Sequence, residues 1–164
     1  MRYLIKPIVI ALLAILCAVF IRGYGAYMKR RRLESRELLH LLEILRKSMS
    51  TALSTPRQAL SSVTVTSTAV ESFRSLVCSG ESLYDAFCKT RGGMSVSRAC
   101  LEMLSEYFAS FGKGYLDDEI RYADDMIERY LALVEREESA GDNDIKVVKS
   151  IAVAITLGVI ILII

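Results

Sequence analysis

Two long apolar runs frame a middle of mixed character. Residues 4–21 read LIKPIVIALLAILCAVFI, and residues 147–164 read VVKSIAVAITLGVIILII. From Ile151 onward the second run carries no charge, and Thr156 is its only polar side chain. A helix of about 18 residues rises about 27 Å, close to the hydrocarbon thickness of a bilayer, roughly 30 Å. A small domain cannot cover a helix that is apolar on every side, so each run predicts a membrane span rather than a buried core helix. Lys6 and Pro7 stand near the start of the first run, where a membrane helix tolerates them.

Between the runs the spacing turns helical. Leu38, Leu41, Leu42, Leu45 and Met49 recur at three and four residues, which predicts one helix over 27–51 with a single apolar stripe. Glu34, Arg36, Glu43 and Lys47 read as lying off that stripe, and His40 as a surface histidine. Thr55-Pro56-Arg57-Gln58 predicts a helix start with a reciprocal cap and proline at the first helical position. Residues 61–68 are rich in Ser, Thr and Val, which weakens helix propensity. A strand over 63–66 is an alternative there, and the helical pattern on both sides favours a helix.

Further along, Phe73, Leu76 and Val77 share a side before the stop at Ser79-Gly80. Leu83, Tyr84 and Phe87 mark a short helix, and Arg91-Gly92-Gly93 a loop. Ser95 or Ser97 opens a helix with Cys100, Leu101, Leu104, Tyr107 or Phe108, and Phe111 on its buried face. Gly112-Lys113-Gly114 ends it. The acids Asp117, Asp118 and Glu119 then start a long helix, at the end where the helix dipole favours them. Its stripe is Ile120, Ala123, Ile127, Tyr130, Leu131 and Val134, and a break is expected over 139–144.

The chain has 164 residues, 52% hydrophobic, and the apolar excess sits in the two runs. The domains are therefore 1–22 as an N-terminal transmembrane helix, 23–146 as a cytoplasmic helical domain and 147–164 as a C-terminal transmembrane helix. The formal charge of +2 hides an asymmetry: residues 22–113 carry 14 Lys/Arg against 8 Asp/Glu, and residues 114–149 carry 5 against 11. Two parts of opposite sign can attract each other as well as face solvent.

Basic residues beside apolar runs mark the cytoplasmic side. Arg22, Lys29, Arg30, Arg31 and Arg32 follow the first run, and Lys146 and Lys149 flank the second. These seven are the topology-determining, membrane-interface residues. They put both chain ends outside and the middle in the cytoplasm. A cleaved signal peptide with an exported domain is the alternative, and the basic cluster argues against it, since such a cluster resists translocation.

No catalytic residue, cofactor site or metal site is assigned. The four cysteines, Cys17, Cys78, Cys88 and Cys100, show no CxxC spacing and read as reduced thiols. Cys100 reads as a small core residue, with the chain's one histidine far away in sequence. Arg91-Gly92-Gly93 lacks the GK[ST] of a phosphate loop. Adjacent acids such as Asp124 and Asp125 point different ways on a helix and read as a solvated face. Nucleic-acid binding is not expected, because the middle domain has no net positive charge.

The order of SRELLHLLEILRKSMS, TPRQAL, LSEYFASFGKGYLDDEI and KVVKSIAVAITLGVIILII, set between two spans, resembles stage III sporulation protein AB of spore-forming bacteria. The likeness covers nearly the whole chain. It implies an all-α fold: a six-helix cytoplasmic bundle similar to the type II secretion F domain of platform proteins. It also implies a non-catalytic scaffold in a sporulation channel complex on the mother-cell side of the membrane around the forespore. Other stage III channel components, including the family's ATPase, are the implied partners. Platform proteins usually carry two copies of the helical domain, so a homodimer would supply the second copy. A generic membrane-tethered adaptor unconnected to sporulation is the alternative.

Overall fold

A computed structural model describes residues 2–50 and 55–163, with side chains at 11–12, 14–50 and 55–159. Every regular element among them is helical. The elements are α1 (Arg2–Ser50), α2 (Pro56–Ser61), α3 (Thr68–Ser79), α4 (Leu83–Thr90), a 3₁₀ turn (Arg91–Gly93), α5 (Arg98–Ser110) and α6 (Leu116–Ile163). The chain divides into two compact units, Arg30–Arg136 and the pairing of Met1–Lys29 with Glu137–Ile164.

The Arg30–Arg136 unit is a bundle around one core. Leu38, Leu41, Leu42 and Leu45 of α1 are essentially inaccessible, as the three-and-four spacing predicts. They share the core with Leu60, Val70, Phe73, Val77, Ala86 and Phe87. Cys100, Leu104, Phe108, Ala123, Met126 and Tyr130 join it from α5 and α6. Phe73, Phe87 and Phe108 meet at its centre, with ring centroids 5.2–6.0 Å apart in tilted and edge-on arrangements. Such pairs add about 0.5–1.5 kcal/mol beyond their buried area. Cys100 is fully buried, as a small apolar residue would be.

Side chains cap three of the four short α-helices at their starts. Thr55 accepts from the Gln58 amide, and the Gln58 side chain accepts from the Thr55 amide at 3.1 Å, which is the reciprocal cap the sequence predicts. Ser82 and Ser97 cap α4 and α5 through the Asp85 and Cys100 amides. Gly80 ends α3 at φ 108°, a left-handed conformation that costs glycine nothing.

Several expectations change. Residues 63–67 are neither helix nor strand: α2 ends at Ser61 and α3 starts at Thr68. The weak propensity of the Ser/Thr/Val run wins because its amides find acceptors on α1. The expected break at 139–144 is absent, and α6 is one helix of 48 residues. Likewise α1 is one helix of 49 residues, running from the first apolar stretch through the leucine stripe. The helices therefore number six in all, rather than six plus two separate spans. On the stripes, Leu131 and Tyr84 are exposed, while Met126 is buried.

In the other unit, Thr156 joins α1 and α6. Its hydroxyl donates to the Ala152 carbonyl at 2.8 Å and lies 3.7 Å from the Cys17 sulfur. Ala152 and Gly141 are buried, and small residues let backbones approach. Leu12, Ile15, Leu16, Val19 and Phe20 of α1 are each more than half exposed. So are Val147, Ile151, Val153, Ile155 and Leu157 of α6. Among the described residues no helix is long and apolar enough to cross a membrane. Both expected spans also include residues whose side chains lie outside that set, 2–10 and 13 in the first and 160–164 in the second.

Candidate functional site

Glu34, which read as lying off the leucine stripe, is fully buried in the bundle and has three hydrogen-bond donors from separate parts of the chain. It stands four residues before Leu38, so it occupies the core stripe of α1 rather than the outer face. Arg30, one turn earlier, donates Nε–H to Glu34 Oε1 at 2.7 Å. The Ser67 hydroxyl donates to the same oxygen at 3.0 Å. The Ser95 amide donates to Oε2. A second guanidinium nitrogen of Arg30 reaches the Gly93 carbonyl at 3.3 Å.

Glu37, three residues on, accepts from the Thr66 amide at 2.6 Å and from the Ser67 amide at 3.0 Å. Two carboxylates on α1 thus hold the 63–67 segment and the lead into α5. They supply the acceptors that a helix would otherwise have provided for those amides. The Glu34 spacing was a usable signal in the sequence. The partners Ser67 and Ser95 were not, since they lie 33 and 61 residues away.

Of the seven predicted interface residues, Arg30 takes this internal role, with its side chain still half exposed. Arg22, Lys29, Lys146 and Lys149 are exposed, and Arg31 and Arg32 are half-buried. His40 is exposed, as expected, with Nδ1 3.7 Å from Glu43. The opposed charge of the two parts of the chain meets at Arg46 and Asp124. Arg46 makes a bidentate pair with Asp124, at 2.7 and 2.9 Å. Asp124 had read as part of a solvated acidic face. The carboxylate raises the Arg46 pKa through these bonds.

A cleft of about 330 Å³ opens where α5 turns into α6. Tyr107, Phe111 and Tyr122 wall it, with centroids 5.8 Å apart for Tyr107–Phe111 and for Tyr107–Tyr122. Lys113, Asp118 and Glu119 stand around it. Glu119 is fixed by accepting from the Gly114 amide at 2.8 Å. A side chain at position 114 would bring a Cβ to 3.3 Å from Glu119 Cγ, so glycine allows this close approach. Among the described residues no three His, Cys, Asp or Glu side chains gather as metal ligands would.

These features define an all-helical bundle whose first and last helices continue into apolar segments. The chain belongs to the stage III sporulation protein AB family, whose model matches residues 6–164. The family places it in stage III of sporulation. No match was found among curated proteins or among solved structures.

Proposed function

We infer that the protein is a non-catalytic scaffold, anchored in a membrane by both apolar runs, that docks other proteins of the stage III sporulation assembly through its helical bundle. The observation that carries this is the large apolar surface left uncovered on the outer lengths of α1 and α6, from Leu12 to Phe20 and from Val147 to Leu157. An exposed apolar area of that extent is costly in water and is stable against lipid or another protein. Lys29 and Lys146, both exposed, give the charge that retains the bundle on the cytoplasmic side.

The family likeness supplies the finer content of the reading. The bundle corresponds to a type II secretion F domain, the ATPase of the assembly is its cytoplasmic partner, and a homodimer provides the paired platform. The arrangement sits on the mother-cell side of the membrane around the forespore. The test is alkaline extraction and vesicle flotation of the native protein, with crosslinking from sporulating cells. The protein is expected to float with lipid, resist extraction and crosslink to the ATPase. Recovery in the aqueous fraction would refute the anchoring, and absence of any stage III partner would refute the scaffold.

A further inference from the structure

The cleft between α5 and α6 is used by nothing described so far. Three features set it apart from an ordinary surface groove. Its wall is aromatic, built from Tyr107, Phe111 and Tyr122. Its charges lean negative, Asp118 and Glu119 against Lys113 alone. Tyr107 is 2% exposed, and its hydroxyl is buried with no hydrogen-bond partner. Buried hydroxyls are nearly always paired, so this one is an unmet acceptor for a side chain that parts the cleft wall.

We propose that the cleft receives the guanidinium of an arginine side chain from a partner protein. A guanidinium is planar, weakly hydrated and always charged, so it stacks on aromatic faces at small desolvation cost. Its fan of N–H donors meets the Tyr107 hydroxyl oxygen and the Asp118 carboxylate together. The volume is at the low end of ligand pockets, enough for one side chain and too small for a large cofactor. Burial and the nearby Glu119 raise the Tyr107 pKa, so the phenol stays neutral and keeps lone pairs for the incoming donor. An anion is disfavoured by both carboxylates, and an aliphatic group would leave the hydroxyl unpaired.

This deepens the scaffold reading by giving it one docking site, and its test is independent of membrane anchoring. Full-length protein in detergent micelles, with ring-labelled tyrosine, is titrated with N-acetyl-arginine amide and, separately, with N-acetyl-norleucine amide. Saturable shifts of the Tyr107 and Tyr122 rings are expected with the arginine probe, with a Kd on the order of 1–10 mM. The norleucine probe is expected to give none. Asp118→Asn should weaken binding by about threefold or more, and added salt should do the same. Tyr107→Phe should lose affinity without lowering the melting temperature, which a purely structural role for the hydroxyl would not produce. Absence of a saturable shift overturns the proposal. So does equal binding of the norleucine probe, or unchanged affinity in Tyr107→Phe and Asp118→Asn. Those results would remove the cleft as a site, whereas flotation alone decides the anchoring.

Discussion

Glu34 has no exposed surface, and three donors from three places in the chain converge on it. Removing its carboxylate strands a part-buried amide and a buried hydroxyl. Glu34→Ala should therefore lower unfolding free energy by about 2–4 kcal/mol, measured by chemical denaturation in micelles. Arg30→Ala should cost about 1 kcal/mol or less, because its guanidinium is half solvated already. Equal losses in the two variants would mean that the ion pair, rather than the backbone and serine contacts, fixes the hub. Tyr107 gives a second test at this scale. Its phenol is raised above the usual 10, first by burial and then by Glu119. The neutral form is favoured on folding, so this contribution is intact below pH 10 and is lost as pH climbs beyond it. Tyr107→Phe should flatten the loss of stability above that pH, followed by denaturation across an alkaline series.

The Thr55, Ser82 and Ser97 side chains start α2, α4 and α5, and Gly80 ends α3. Gly80 at φ 108° has open space around its missing side chain, so Gly80→Ala meets no clash and suffers only backbone strain. A loss of about 1 kcal/mol is expected by thermal unfolding. A similar loss is expected for Thr55→Ala, which removes the α2 cap. Residues 139–144 hold Gly141, Asp142, Asn143 and Asp144, a composition that suggested a break, yet α6 passes straight through them. One glycine with no proline costs a helix only about 1 kcal/mol, which packing along the rest of its length offsets. Residues 63–67 show the opposite outcome. Their helix propensity is equally poor, and Glu34 and Glu37 offer their amides and the Ser67 hydroxyl a better alternative.

For the molecule as a whole, six apolar-striped helices bury one core, and the outer lengths of α1 and α6 keep large aliphatic side chains uncovered. The proposed membrane scaffold rests on that contrast. If the outer lengths lie in lipid, Leu16→Arg and Ile155→Arg should each cost about 2–3 kcal/mol of insertion, read as loss from the membrane fraction or as degradation. Unchanged fractionation in both variants would mean that those side chains do not face hydrocarbon. A dimeric platform predicts a concentration-dependent shift in mass by light scattering in mild detergent.

Spacing and capping residues were enough to place the leucine stripe of α1, the caps of α2 and α5, the glycine stop of α3 and the aromatic face of α5. All of these are local signals, set by spacing along one helix or by one turn of hydrogen bonding. The role of Glu34, the open course of 63–67, the Arg46–Asp124 pair and the Tyr107 cleft came only with the folded chain. Each joins residues that no local pattern links: a buried carboxylate needs donors from distant segments, and a cleft needs two helices to meet. Sequence spacing determines which face of a helix is apolar, and only packing determines which polar group that face can afford to enclose.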